Sequence, residues 1–131
     1  MSEFALDASA VLAYLNRETG WQRVESLLLD ERCLLLSVNL TEVLSRLADW
    51  GVPLAEAEAR LAGMGLNPIS FDYPLASLAA QLRPPTRHLG LSLADRACLA
   101  LAKARGIPAV TSDQHWQDIA PALGIAVECI R

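Results

Sequence analysis

The segment Leu91-Ser92-Leu93-Ala94-Asp95-Arg96, followed further on by Pro108-Ala109-Val110-Thr111-Ser112-Asp113, decides how the chain is read. Ser92 with an acid three residues later, Asp95, has the pattern of a helix N-terminal capping box. The body that follows is rich in Ala and Leu, and Cys98, Leu99, Leu101 and Ala102 crowd together along it. Gly106 stops this helix, as glycine commonly does just past a helix end. Ile107-Pro108 then opens a short apolar strand, Ala109-Val110, with Asp113 just beyond it. A capped helix, a glycine stop and a short buried strand in direct succession are the building pattern of an α/β sheet.

The same alternation extends outward to both ends. Phe4-Ala5-Leu6, Cys33 to Leu36, Ile69 to Phe71 and Ile125 to Ile130 read as further short strands. The unbroken apolar character of several predicts burial on both faces, as in a parallel sheet. Between them the apolar residues follow a 3.6-residue period. Trp21, Val24, Leu27 and Leu28 share one helix face; Leu54, Ala57, Leu61 and Met64 share a second; Leu75, Leu78, Ala79 and Leu82 share a third. Asp72 ahead of Pro74 marks a helix start, Gly63 and Gly65 close the helix before it, and Pro84-Pro85 predicts a loop running to Leu91. No linker, repeat or shift of composition divides the chain. The expected architecture is a single domain over residues 1–131, a three-layer α/β/α fold with a mostly parallel, roughly five-stranded sheet.

Composition narrows the function. The chain has 131 residues, 53% of them hydrophobic and 20% charged, which excludes a disordered or low-complexity protein. No apolar run approaches the roughly 18 residues that a membrane span requires, and Met1-Ser2-Glu3-Phe4 lacks the basic and apolar regions of a secretory signal. A soluble, cytoplasmic protein with no membrane contact is expected. The net charge of −4 argues against gripping nucleic acid over the whole surface. Acids gathered to bind a metal remain compatible with a nucleic-acid enzyme. Cys33, Cys98 and Cys129 are odd in number and lie in apolar runs, so buried, reduced thiols are expected.

In an open parallel sheet, ligands bind beyond the carboxyl ends of the strands, where strand order reverses. Asp7 directly follows the first strand and Asp113 follows the strand ending at Thr111. If those strands are central neighbours, their carboxylates converge. Glu42, early in the helix after the second strand, and Asp95, in the first turn of the helix before Asp113, stand at the same edge. Each acid also has a structural reading. Asp7 and Asp113 suit helix caps, Asp95 a capping box with Ser92, and Glu42 an i,i+4 pair with Arg46 or a capping box with Asn39.

Together, Asp7-Ala8-Ser9, Val38-Asn39-Leu40-Thr41-Glu42-Val43, Leu91 to Arg96 and Pro108 to Asp113 with Trp116 beyond resemble PIN-domain ribonucleases. Their order, their spacing and the chain length resemble the VapC toxins of bacterial toxin–antitoxin pairs. The resemblance implies a metal-dependent endoribonuclease with Asp7, Glu42, Asp95 and Asp113 as its acidic quartet. It implies Mg²⁺ or Mn²⁺ held by Asp7, Asp95 and Asp113, with Glu42 acting on the attacking water. Thr111 or Ser112 matches the hydroxyl position beside the fourth acid, and Ser9 and Asn39 match supporting polar positions. The implied partners are an RNA substrate, a cognate antitoxin and a second copy in a homodimer. Basic residues available for RNA are Arg17, Arg46, Arg87, His88 and Arg96. Arg96 also suits a pair with a neighbouring acid or a contact across a subunit interface.

Rival readings fit less well. A receiver-like phosphoacceptor wants paired acids after the first strand and a Lys near a late strand, whereas Lys103 lies mid-helix. A dehalogenase-type phosphatase wants Asp-x-Asp, where this chain has Asp7-Ala8-Ser9. The remaining rival is a catalytically silent PIN-fold module kept for protein binding.

Overall fold

The computed structural model describes residues Met1–Arg131. Strands β1 (Glu3–Leu6), β2 (Arg32–Leu36), β3 (Asn67–Ile69), β4 (Ala109–Thr111) and β5 (Val127–Cys129) form one sheet in the order β3-β2-β1-β4-β5. Every neighbouring pair is parallel. Strand order therefore reverses between β1 and β4, the two strands that deliver Asp7 and Asp113.

Period-two side-chain alternation divides the interior into two cores. Ala5, Leu34, Leu36 and Ala109 face one side, where α5 (Tyr73–Gln81), α7 (Leu93–Arg105) and α8 (Trp116–Leu123) pack. Leu6, Cys33, Leu35 and Val110 face the other, against α1 (Ala8–Asn16), α2 (Trp21–Asp30), α3 (Ser37–Asp49) and α4 (Leu54–Ala62). Because the central strands are covered on both faces, Phe4 to Leu6, Cys33 to Leu36 and Ala109-Val110 read as continuous apolar runs, whereas the edge strands carry Asn67 and Glu128. No helix is long and apolar enough to cross a membrane.

The helix boundaries follow local chemistry. Asp72 caps α5 by accepting from the Leu75 amide at 3.1 Å, with Pro74 in the first turn. Ser92 and Asp95 form the reciprocal capping box of α7, and Gly106 ends that helix at φ 63°. Gly20 precedes α2 at φ 93°, and a Cβ there would collide with the Ile130 carbonyl, so both backbone and space demand glycine.

Three expectations change. The third strand lies at Asn67–Ile69 rather than Ile69–Phe71, with Pro68 tolerated because β3 is an edge strand. Pro84-Pro85 starts the short helix α6 (Arg83–Thr86), followed by a 3₁₀ turn at Arg87–Leu89, instead of opening a loop. Proline fits a helix's first turn, where its missing N–H has no intrahelical partner anyway. Cys33 and Cys98 are buried as expected, but Cys129 is only half-buried, since β5 is the other sheet edge. The faces containing Ala57, Leu61 and Met64 and Leu75, Ala79 and Leu82 are taken up by the core.

Candidate active site

The carboxyl ends of β1 and β4 open into a cavity of about 240 Å³, and Asp7, Glu42, Asp95 and Asp113 all line it. Asp7 and Asp113 arrive from the two strands at the reversal of strand order. Glu42 arrives from the second turn of α3, and Asp95 from the first turn of α7. Ala8, Ser9, Leu12, Glu18, Arg46 and Trp50 complete the wall.

Asp7 is the deepest of the four at 6% exposure. It is also the N-cap of α1: its Oδ1 accepts from the Ala10 amide at 2.9 Å and from Ser9 Oγ at 2.7 Å. Its Oδ2 accepts from Thr111 Oγ1 at 2.6 Å. Thr111 Oγ1 in turn accepts from the Asp113 amide at 3.0 Å, and Ser9 Oγ accepts from the Ser112 amide at 2.9 Å. Thr111 therefore supplies the hydroxyl at this site, and Ser112 contributes its backbone. Burial pushes the Asp7 carboxyl up to about 6; the bonds from Ser9, Thr111 and Ala10 act against that shift, and the Asp95 charge adds to it.

The other acids keep more freedom. Asp95 Oδ2 accepts from the Ser92 amide at 3.0 Å, and Asp113 Oδ1 from the His115 amide at 2.9 Å. Glu42 Oε1 accepts from Asn39 Nδ2 at 3.2 Å. The second oxygen of each has no protein partner. Desolvation raises the Glu42 pKa, and the Asn39 bond works against it. Asn39 is not an N-cap, because α3 begins at Ser37 directly after β2. It is wholly buried, and its Nδ2 also donates to the Ala94 carbonyl at 3.2 Å, tying α3 to α7. Glu42 and Arg46 form no ion pair, although the Arg46 charge lowers the Glu42 pKa from a distance.

The basic candidates separate. Arg46 lines the acidic cavity. Arg17 stacks on the Trp21 ring at 4.0 Å and lines an adjoining polar pocket with Glu18, Thr19, Ser112 and Arg131. Arg87 and His88 are exposed on the 3₁₀ turn. Arg96 neither pairs with an acid nor faces outward: its guanidinium donates to the Ala79 carbonyl at 3.1 Å and joins α7 to α5. Glu18 and Trp50 were not singled out from the sequence. For Trp50 the signal existed, since Glu42, Arg46 and Trp50 recur every four residues.

No three of the His, Cys, Asp and Glu side chains stand close enough to enclose a metal ion by themselves. A partly hydrated ion is a different case. Mg²⁺ commonly keeps several waters and takes only one or two carboxylates, so carboxylates with free oxygens around an open cavity have the right donor chemistry. Burial, with a smaller contribution from the Asp95 charge, raises the pKa values of Asp7 and Glu42, and a cation beside them offsets that cost of holding desolvated carboxylates.

The PIN domain family model matches residues 4–121, which contain all four acids. No curated protein sequence matches the chain. Among solved structures it is similar to DNA-bound VapBC from Salmonella typhimurium, with 20% identity, 100% of both chains covered and a TM-score of 0.76. It is similar to VapBC2 of Rickettsia felis bound to a promoter DNA fragment, at 16% identity over 97% of this chain and 98% of that one, TM-score 0.76. VapC20 of Mycobacterium tuberculosis, a sarcin–ricin loop cleaving toxin, is 17% identical over 88% of this chain and 94% of that one, TM-score 0.71. At such identities the likeness to these structures is one of fold. The match of the family model over nearly the whole chain, on a parallel sheet whose central crossover gathers the acids, shows that the chain belongs to the PIN domain family.

Proposed function

We propose that this chain is a metal-dependent endoribonuclease, hydrolysing phosphodiester bonds in RNA as the toxin of a toxin–antitoxin pair. The observation that carries the reading is the meeting of four acids from four elements on one cavity at the strand-order reversal. In this reading Asp7 and Asp113 would hold Mg²⁺ or Mn²⁺, with Asp95 reaching it through a water. When bound, the cation supplies positive charge that offsets the phosphate and leaving-group oxygens. Ser9 and Thr111 keep Asp7 ionised by donating to both of its oxygens. Asn39 fixes Glu42 by one oxygen and leaves the other free to take a proton from the attacking water. Partial desolvation makes that carboxylate a stronger base than a fully solvated one. The sarcin–ricin loop activity of VapC20 supports RNA as the substrate.

The test is incubation of the purified chain, free of any partner, with an RNA pool and millimolar Mg²⁺ or Mn²⁺. Internal cuts that stop with EDTA are expected. No cleavage under either metal overturns the enzymatic reading and favours the silent binding module.

The proposal extends to partners: a homodimer in the cytoplasm and a cognate antitoxin. The structural likeness to VapBC complexes supports the second, and Leu29, Leu54 and Leu93, each more than half exposed, supply apolar contact surface. Sedimentation at micromolar concentration checks the dimer, which a sole 14.2 kDa species overturns. Co-expression with the neighbouring small reading frame checks the antitoxin, which must co-purify and restore growth.

A further inference from the structure

We propose that Arg46 and Trp50 form a nucleotide subsite beside the acids. Trp50 stacks on an unpaired base flanking the scissile bond, and Arg46 takes a phosphate of the same strand. The inference rests on the ribonuclease reading for its substrate and adds two contacts outside the acidic quartet.

Helix α3 presents Glu42, Arg46 and Trp50 at four-residue intervals, about 6 Å of rise per step, and all three line the acidic cavity. One stripe of one rigid helix thus carries a base, a cation and an aromatic ring in sequence. The Arg46 side chain makes no ion pair or hydrogen bond within the chain, although Glu42 stands one turn away. An uncommitted guanidinium among carboxylates is a ready contact for phosphate, which it can bind bidentately.

Trp50 is 49% exposed, whereas Trp116 is buried at 1% and Trp21 is covered by the Arg17 guanidinium. Its backbone is locked. The Gly51 amide donates to the Ala48 carbonyl at 2.9 Å and the Val52 amide to the Leu47 carbonyl at 3.0 Å, closing a Schellman turn with Gly51 at φ 82°. The ring is therefore carried by a fixed helix end, so binding has only its two side-chain torsions to order. Its neighbours along the wall are mostly polar: Glu18, Glu42 and Arg46, with Leu12 and Ala8 deeper. A lone aromatic set among charges suits a base with a charged backbone better than an apolar peptide face. Bases stack on aromatic side chains almost regardless of sequence, but only when they are unpaired.

The test measures KM and kcat on a single-stranded oligoribonucleotide for wild type, Trp50→Ala, Trp50→Phe and Arg46→Ala. Tyr73→Ala, an aromatic still more exposed than Trp50 and absent from the cavity wall, serves as control. Trp50→Ala is expected to raise KM about tenfold or more with kcat within about twofold of wild type, and Trp50→Phe to restore most of the affinity. Arg46→Ala is expected to raise KM and flatten the salt dependence by about one phosphate contact. Tyr73→Ala is expected to change neither. A KM for Trp50→Ala within about twofold of wild type overturns the subsite. So does a variant that keeps KM but no longer retains its protein partner, which makes Trp50 a docking residue. If wild type cleaves nothing, the ribonuclease reading fails, and a second readout decides the subsite. Adding the oligonucleotide to metal-free protein must quench tryptophan fluorescence in wild type and not in Trp50→Phe; equal quenching, or none in wild type, overturns it.

Discussion

On the strand side of the cavity, Asp7 is buried and takes three hydrogen bonds, two of them from side chains, while its carboxyl is still pushed up to about 6. On the helix side, Asp95 and Glu42 are more open, and each is held by a partner three residues away on its own helix. The first arrangement desolvates a carboxylate; the second fixes carboxylates cheaply with one oxygen and leaves the other without a protein partner. A helix cap and a place on the cavity wall are thus compatible duties for one side chain. Asp7 caps α1 and Asp95 completes the box of α7 while both face the cavity.

The largest expected effect breaks both halves alike. Asp7→Asn is expected to abolish RNA cleavage, and Glu42→Gln to lower kcat by about 10²–10⁴, the range for a lost general base. Single-turnover rates at saturating Mn²⁺ check this. Full activity in either variant removes that residue from the chemistry.

The two halves part company in their pH dependence. The folded-state pKa of Asp7 lies above its unfolded value, so the folded protein holds a proton that the unfolded chain releases between about pH 4 and 6. Stability of the metal-free protein therefore falls as pH rises through that window, by about 3 kcal/mol for a shift of this size. Glu42 shifts in the same direction. Urea unfolding at pH 4.5 and 7.5 checks this, with Asp7→Asn expected to flatten most of the difference. Millimolar Mn²⁺ is expected to raise the melting temperature at pH 7.5 and to do much less at pH 4.5.

Smaller effects sharpen the contrast. Thr111→Val removes a donor to Asp7 and the acceptor of the Asp113 amide in a wholly buried position, and is expected to cost about 1–3 kcal/mol. Ser92→Ala removes one arm of an exposed capping box and is expected to cost about 1 kcal/mol. If the two losses come out equal in urea titrations, the strand side is no more constrained than the helix side.

The same contrast explains what the sequence made legible. Ser92 with Asp95, Asp72 with Pro74 and the stop at Gly106 are contacts within one turn, and spacing alone reveals them. The parallel sheet showed itself in apolar runs, and the placing of Asp7 opposite Asp113 followed from sheet order. The bonds from Thr111 to Asp7 and from Ser112 to Ser9 join opposite ends of the chain, so no local pattern announces them. Asn39 looked like a cap because its spacing to Glu42 is right. The burial that makes it a link to Ala94 depends on how α3 meets α7. Arg96 offered a charge to any partner, and only the approach of α5 decided that a backbone carbonyl would take it.

The strand-side and helix-side acids are expected to act on one ion. Calorimetric titration of Mn²⁺ into wild type, Asp7→Asn and Asp95→Asn at pH 7.5 tests it most directly. The predicted result is a binding event in wild type that weakens about tenfold or more in both variants, with their folds intact. Mn²⁺ binding that is absent from wild type, or that Asp95→Asn leaves unchanged, contradicts it.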